Sequence, residues 1–184
     1  MARPLRAVLE RQPRPPGRLC RGAGSPVDGS RQVTSLTLVR RIAARPAVVF
    51  DALTAPDAIA RWWGPDPGPV LVAETDIRVG GRYRVRFRML DGTEHESAGE
   101  YLEVDPPQRL SMTWRWLEGG EDDGESRLEI DLRPVDGGTE LTLTHSRLGS
   151  DASRDGHRGG WSGALDKLVA MFAALEATTE GETT

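Results

Sequence analysis

Strict alternation of apolar and polar residues is the feature that most constrains the fold of this chain. In residues 82–89, RYRVRFRM, every second side chain is apolar and each one between is an arginine, starting from Arg82. A period of two places alternate side chains on opposite faces of a β-strand. The same period dominates from Val33 onward, so the chain must form a sheet with one face buried under another layer.

Seven segments are predicted as strands, and turn-forming residues separate most of them. The predicted strands cover residues 33–42, 70–77, 82–89, 93–104, 109–117, 126–133 and 139–148. Asp91-Gly92 is a strong hairpin signal, and Asp105-Pro106-Pro107 forms a corner between two strands. Because these strands follow one another through short turns, we predict that they pair in the antiparallel direction.

Three helices are predicted, two short and one long. Pro46 and Pro56 each suit the first position of a helix, and Gly64-Pro65 ends the second helix after about Trp62. A single apolar stripe near the end of the chain marks an amphipathic helix of about four turns. The stripe consists of Trp161, Leu165, Leu168, Phe172 and Leu175.

The order of these elements predicts an α+β fold of the helix-grip type. In this fold a curved seven-stranded antiparallel sheet wraps around a long C-terminal helix, and here two short helices follow strand 1. One sheet bent over one helix leaves space between them. The domain is predicted over residues 33–175. An Arg/Pro-rich leader at 1–32 and a polar tail at 176–184 are predicted to be disordered.

The composition excludes several classes of protein. No uncharged apolar run approaches the roughly 18 residues that a membrane span needs, so no transmembrane helix is predicted. The single cysteine, Cys20, cannot form a disulfide framework, and we therefore expect a cytoplasmic location. No residues stand at the spacing of a metal site or of a nucleotide-binding loop, so neither a metal nor a cofactor is predicted.

The arginine row of residues 82–88 has two interpretations. It could bind nucleic acid, or its charge could be neutralised by ion pairs with carboxylates on neighbouring strands. The carboxylates considered as partners are Glu100, Glu103, Glu129 and Asp131. Residues 31–184 carry 18 basic and 26 acidic side chains, a net charge of −8, which disfavours a polyanionic partner. We therefore predict ion pairing and no nucleic-acid partner.

The alternation also predicts which side chains face the long helix. These inner faces are largely apolar, and one short strand carries two tryptophans. The inward residues are Tyr83, Val85, Phe87 and Met89, then Leu110, Met112, Trp114 and Trp116, then Leu128, Ile130 and Leu132, and then Leu141, Leu143 and His145. Periodicity allows two outcomes for such faces, a filled core or the wall of a hydrophobic ligand pocket.

The three histidines are the candidate polar groups. The register points His145 inward, where it is either a structural residue with satisfied hydrogen bonds or a ligand contact or acid–base group. His157 lies one turn before Trp161 and is predicted to be exposed near the start of the helix. His95 lies in a charged strand and is predicted to face solvent.

A series of motifs along the chain resembles the SRPBCC superfamily, whose members are also called START-like. The motifs are Arg41-Ile42, ARPAVVFDALT at 44–54, RWWGP at 61–65, DIRVGGRY at 76–83, GEYLEVDPPQRL at 99–110, TWRW at 113–116, GTELTLTH at 138–145 and Gly160-Trp161. They are most similar to the bacterial single-domain branch named after the activator of the heat-shock-protein-90 ATPase. The resemblance covers about residues 33–175.

The resemblance implies a helix-grip fold with a hydrophobic cavity between the sheet and the C-terminal helix. It does not imply one reaction, because the superfamily includes lipid-transfer domains, hormone and allergen carriers, and polyketide cyclases. The eukaryotic activator needs an additional N-terminal domain to engage the chaperone, and the predicted leader is too short and too polar to replace it.

Three functions are therefore predicted as alternatives. The first is a module that binds a small, largely hydrophobic ligand. The second is an enzyme of the polyketide cyclase or dehydratase type, in which His145 acts as acid or base and Tyr83 donates a hydrogen bond to a carbonyl. The third is a protein-interaction module that resembles the chaperone activator. The candidate cavity residues are Trp62, Trp63, Tyr83, Phe87, Met112, Trp114, Trp116, His145, Trp161 and Leu165, with Trp62 or Trp63 at the mouth and His145 as the polar group.

Overall fold

The structure of the protein, a computed structural model, describes residues 34–120 and 124–181, with side chains through Ala174. The predicted leader and the last residues of the predicted tail lie outside the described residues. The strands are β1 (Thr34–Ile42), β2 (Val70–Thr75), β3 (Arg82–Arg88), β4 (Glu94–Asp105), β5 (Arg109–Glu118), β6 (Ser126–Val135) and β7 (Gly138–Leu148). The helices are α1 (Pro46–Thr54), α2 (Pro56–Trp62) and α3 (Asp151–Gly181).

The strands form one antiparallel sheet in the order β1-β7-β6-β5-β4-β3-β2. Strands β2 to β7 follow one another in sequence, whereas β1 pairs with β7 at the edge far from β2. The chain therefore crosses from one edge of the sheet to the other through α1 and α2. This arrangement confirms the predicted helix-grip fold with two short helices after the first strand.

Irregularities in strand pairing account for the curvature of the sheet. The pairing of β4 with β5 shifts register between Glu96 and Ser97 and again between Tyr101 and Glu103. Further shifts occur near the start of β1 and of β2. A bulge bends its strand and increases the local twist, so these shifts allow a single sheet to curve around α3.

The long helix starts earlier and ends later than the apolar stripe indicates. It begins at Asp151, ten residues before Trp161, and continues to Gly181, past the predicted start of the tail at Glu176. Residues 151–160 contain three glycines and several charged residues, so they carry no apolar period by which a helix could be recognised. The stripe residues from Trp161 to Phe172 are buried, and Leu175 lies outside the described side chains.

The predicted inner faces of the strands form the core. Tyr83, Val85 and Phe87 of β3 are buried, and so are the inward residues of β5 up to Trp114 and of β6 and β7. Trp116, the last inward residue of β5, and Met89, just after β3, are half-buried and pack against the core. The helix α3 lies closest to β1, β7 and α2, so its first half is left facing β3, β4 and β5 at a greater distance.

The arginine row of β3 forms ion pairs with β4. Arg84 Nε lies 2.7 Å from Glu96 Oε1, and both Arg86 and Arg88 reach Glu94. The register explains these partners, since β3 and β4 place Arg86 opposite Glu96 and Arg88 opposite Glu94. The hydrogen bond from Arg84 is the main cause that lowers the pKa of Glu96. The ion pairing predicted for this row is therefore present.

Three of the four carboxylates predicted as partners for the row were wrong. Glu103, Glu129 and Asp131 instead surround Arg109 of β5, whose guanidinium contacts all three carboxylates. Glu100 lies opposite Arg82 in the register of β3 and β4. Nearness in sequence could not identify these pairs, because strand order and register decide which outward side chains are neighbours.

No helix within residues 34–120 and 124–181 is both long enough and apolar enough to cross a membrane.

Candidate functional site

A cavity of about 400 Å³ lies between the inner face of β3–β5 and the first half of α3. The segment that follows α2 closes one side of it. Its walls consist mainly of aromatic rings and of residues with small side chains or none. The lining residues are Trp63, Gly64, Pro65, Phe87, Met89, His95, Trp114, Trp116, Gly119, Gly120, Ala152, Ser153, Gly156, His157, Gly160, Trp161 and Ala164.

The helix side of the cavity is open because α3 presents small residues there. Ala152, Gly156, Gly160 and Ala164 follow one another at steps of four and therefore lie on one face of the helix. A Cβ atom added at Gly156 or Gly160 would meet no atom within 4 Å. The space thus depends on positions where larger side chains are missing, although each glycine costs the helix about 1 kcal/mol relative to alanine.

Four tryptophans from three parts of the chain line the cavity, namely Trp63 after α2, Trp114 and Trp116 in β5, and Trp161 in α3. The ring of Trp114 lies 5.1 Å from that of Trp161, 5.4 Å from that of Trp116 and 5.7 Å from that of Trp63, measured between centroids. Trp63 stacks on Trp114 with an interplanar angle of 22°, whereas Trp116 and Trp161 meet Trp114 edge to face. Such offset and edge-to-face pairs are the favourable arrangements of aromatic rings.

Trp63 is held in this wall by the contact of its loop with α3. Lys167 Nζ donates a hydrogen bond of 2.8 Å to the carbonyl of Trp63 and another to the carbonyl of Asp66. A Cβ atom at Gly163 would lie 2.1 Å from the carbonyl oxygen of Pro65, so only glycine allows the helix to approach the loop so closely.

His145 is fully buried behind the cavity wall and has both ring nitrogens engaged. Trp161 Nε1 donates to His145 Nδ1 at 3.1 Å, and Ser126 Oγ lies 2.8 Å from His145 Nε2. An indole N–H can only donate, so Nδ1 accepts and Nε2 carries the proton. Ser126 in turn donates to the carbonyl of Trp114. Burial, with a smaller effect of nearby His157, lowers the pKa of His145 to about 3.

His157 lies on the cavity wall and, like His145, accepts a hydrogen bond from a tryptophan. Trp116 Nε1 donates to His157 Nε2 at 3.1 Å, so His157 is neutral and its Nδ1 carries the proton. That nitrogen lies 2.9 Å from the carbonyl of Ser153 and 3.2 Å from the Ser153 hydroxyl. The prediction of an exposed His157 was wrong, because α3 begins two turns before this residue and Trp116 covers it.

His95 lies on the wall near the β3–β4 hairpin. Its ring stacks on Phe87 at 5.3 Å with an interplanar angle of 19° and contacts Trp116 at 5.6 Å. The side chain is half-buried, and Nδ1 is shielded from solvent without a hydrogen-bond partner among the described residues. The prediction that His95 faces solvent was therefore wrong, because the register of β3 and β4 places it opposite Phe87, whose side chain faces inward.

Five of the ten predicted cavity residues line this space. They are Trp63, Phe87, Trp114, Trp116 and Trp161. The alternation of β3 and β5 and the apolar stripe of α3 were sufficient to find four of them, and Trp63 was predicted separately, at the mouth of the cavity. Their role as ligand contacts remains a prediction.

The structure places the other five predicted residues elsewhere in the core. Trp62 is buried and donates from Nε1 to the carbonyl of Ala52 at 2.9 Å, so it is not at a mouth. Tyr83 donates from its hydroxyl to the carbonyl of Thr113. Met112 lies beside Tyr83 deeper under the sheet, Leu165 is completely buried, and His145 sits behind Trp161.

Sequence reasoning missed most of the helix side of the cavity. Gly156, Gly160 and Ser153 carry no apolar signal, and a period of apolar residues cannot show a face from which side chains are missing. A repeat of small residues at steps of four before Trp161 was the available sign. Among the described residues, no group of three or more His, Cys, Asp or Glu side chains is placed to hold a metal ion.

The curved sheet, the enclosed helix and the cavity between them define a helix-grip protein of the SRPBCC class. The family model described as Activator of Hsp90 ATPase homolog 1-like protein matches residues 43–173. The chain belongs to this family. No curated protein matches the chain.

Several solved structures are similar along most of their length. Protein CV1439 from Chromobacterium violaceum is 30% identical, with 75% of this chain and 96% of that chain covered and a TM-score of 0.69. The AHSA1 (SPO3351) protein from Silicibacter pomeroyi is 29% identical, with coverage of 78% and 99% and a TM-score of 0.67. CalU16 from Micromonospora echinospora is 28% identical, with 80% of each chain covered and a TM-score of 0.58.

Proposed function

We propose that this protein binds a small, largely hydrophobic molecule in the cavity between β3–β5 and α3. The observation that carries the proposal is the cavity of about 400 Å³, which is lined by four indole rings and by the glycine face of α3. Small-molecule sites in proteins occupy about 300–1,000 Å³ and are mostly apolar with a few polar groups. The wall offers a ligand a large aromatic surface, which favours a binding or carrier role.

A reaction that uses His145 and Tyr83 receives no support from the geometry. Both nitrogens of His145 are hydrogen-bonded within the core, and its lowered pKa makes it a weak base. The hydroxyl of Tyr83 is bound to a backbone carbonyl, and burial raises its pKa. An acid or base must come within hydrogen-bond distance of the reacting atom, and neither residue lies in the cavity wall. Binding is therefore the function that the site supports best.

A pair of neighbouring glycines allows a sharp test. Gly160 lines the cavity, whereas Gly159 is exposed, and a Cβ at either position would meet no atom within 4 Å. Gly160→Leu should fill part of the cavity without disturbing the core, and Gly159→Leu should add the same side chain in solvent. Leucine is the better helix former at both positions, so both variants should fold.

The protein is first examined by native mass spectrometry as purified and then titrated by calorimetry with fatty acids, flavonoids and polyketide-like aromatics. We expect the wild type and Gly159→Leu to bind one class with similar affinity, and Gly160→Leu to lose at least about tenfold, on the order of 1.4 kcal/mol. Equal affinity in all three proteins, or no binding by any, would refute the proposal. A partner protein captured equally by the wild type and Gly160→Leu would favour the interaction that the family's name suggests.

A further inference from the structure

One hydroxyl proton in the cavity wall has no acceptor. Trp116 Nε1 donates to His157 Nε2, so the single proton of the neutral imidazole lies on Nδ1. Nδ1 therefore donates to Ser153, through the carbonyl at 2.9 Å or the hydroxyl oxygen at 3.2 Å. In either case Ser153 Oγ cannot donate to this nitrogen. Its own proton finds no acceptor among the described residues.

The Ser153 hydroxyl is placed to donate a hydrogen bond to a ligand in the cavity. The residue lines the cavity and is only 5% exposed. A buried hydroxyl whose proton has no acceptor costs free energy that a hydrogen bond recovers. Within the described wall the remaining side chains are aromatic, aliphatic or glycine, apart from His95 and His157. A molecule in the cavity is therefore the natural source of the missing acceptor.

The wall also limits the charge of such a molecule. None of the described lining residues is Asp, Glu, Lys or Arg. His95, the polar residue at the other side of Trp116, supplies no cation either, because its neighbours Glu94 and Glu96 are already paired with the arginine row of β3. A buried carboxylate without a cationic partner is strongly disfavoured. The geometry thus favours a neutral molecule over the anion of a fatty acid.

We propose that the ligand is a neutral, planar aromatic molecule with an oxygen acceptor, such as a phenol or an aryl ketone, and that Ser153 recognises this oxygen. The inference rests on the proposed function, since it assigns the ligand class of the same cavity. The indole rings of Trp63, Trp114, Trp116 and Trp161 supply stacking and edge contacts to a flat ring system. The Ser153 hydroxyl supplies a directional contact to the oxygen, and Trp114 Nε1, which has no hydrogen-bond partner among the described residues, is a second donor in the wall.

Three probes with one ring skeleton separate the parts of the proposal, namely naphthalene, 2-naphthol and 2-naphthoate. We expect 2-naphthol to bind the full chain at neutral pH more tightly than naphthalene by about fivefold to tenfold, the value of one hydrogen bond. We expect the 2-naphthoate anion to bind at least tenfold more weakly than 2-naphthol. Isothermal titration calorimetry measures all three affinities.

Ser153→Ala is the variant that tests the assigned residue. It removes the hydroxyl but keeps the backbone carbonyl to which His157 Nδ1 donates. We expect it to lower the affinity for 2-naphthol about fivefold and to leave that for naphthalene unchanged. Ser162→Ala is the control, because Ser162 lies on the same helix but does not line the cavity. It should leave both affinities unchanged.

The outcomes distinguish this inference from the proposed function. If no probe binds and Gly160→Leu has no effect on any ligand, the cavity is not a binding site and both fail. If naphthalene and 2-naphthol bind equally, or 2-naphthoate binds as well as 2-naphthol, the cavity binds ligands but the assigned ligand class is wrong. If Ser153→Ala weakens both neutral probes equally, the residue shapes the cavity and does not recognise the oxygen.

Discussion

Two histidines of this protein accept hydrogen bonds from tryptophans. The N–H groups of Trp116 and Trp161 can only donate, so each fixes one imidazole nitrogen as an acceptor and directs the proton to the other. His145 Nε2–H donates to the Ser126 hydroxyl, and His157 Nδ1–H donates to the carbonyl of Ser153. All four ring nitrogens of these two histidines are thereby hydrogen-bonded within the protein, and the surface offered to a ligand remains mainly apolar.

The low pKa of His145 predicts how stability depends on pH. Its pKa is about 3 in the folded protein, whereas an unfolded histidine titrates near about 6.5. Between these values the unfolded chain binds a proton that the folded protein does not bind. The free energy of unfolding should therefore decrease as the pH falls below about 6.5, by up to about 1.4 kcal/mol per pH unit.

Urea denaturation between pH 5 and pH 7 measures this slope in the wild type and in His145→Gln. Glutamine can accept from Trp161 and donate to Ser126 but does not titrate, so the variant should have a flatter profile. In this range most carboxylates stay ionised, which keeps the change specific to histidine. The same slope in both proteins would assign the pH dependence to another group.

The glycines of α3 between residues 156 and 163 lie in three different environments and therefore have different roles. Gly156 and Gly160 face the cavity, Gly159 faces solvent, and Gly163 faces the backbone of Pro65. The helix tolerates this glycine content because its second half is fastened to the core by the stripe from Trp161 to Phe172. The first half of α3 thus leaves space for the cavity, and the second half packs on the core and stabilises the fold.

Alanine at Gly163 should have an effect opposite to alanine at Gly159. At Gly163 the new Cβ would lie 2.1 Å from the carbonyl of Pro65, so the loop that carries Trp63 must move, at a cost of about 1–3 kcal/mol. At Gly159 the Cβ meets no neighbour, and the better helix propensity should add about 0.5–1 kcal/mol. Urea midpoints measure both changes, and stabilisation by Gly163→Ala would contradict the close packing.

At the scale of the whole molecule, the buried core described by the structure lies between Leu36 and Phe172. Removal of residues 1–30 should therefore leave the melting temperature unchanged within about 2 °C, because a loss of about 1 kcal/mol would move it by several degrees. Differential scanning calorimetry of the full chain and of the shortened chain provides the comparison. A large decrease would mean that the first 30 residues contribute to the fold.

Local sequence patterns were sufficient to predict the architecture. The alternation of RYRVRFR in β3 and the stripe from Trp161 to Phe172 are properties of a short segment, and each sets the direction of its side chains wherever the segment is placed. Turn residues such as Asp91-Gly92 then left few possible orders for the strands. The inner aromatic wall followed from the same alternation, because Phe87, Trp114 and Trp116 share the buried face.

The tertiary structure alone decided which inward residues pack and which face empty space. Tyr83 and Trp114 both point inward, yet Tyr83 packs near residues of α1 and α2 and bonds to the main chain of β5, whereas Trp114 lines the cavity. The partners of the arginine row likewise depended on strand register. Sequence therefore determined the elements and the faces they bury, whereas distances between elements, which no local pattern encodes, determined the cavity.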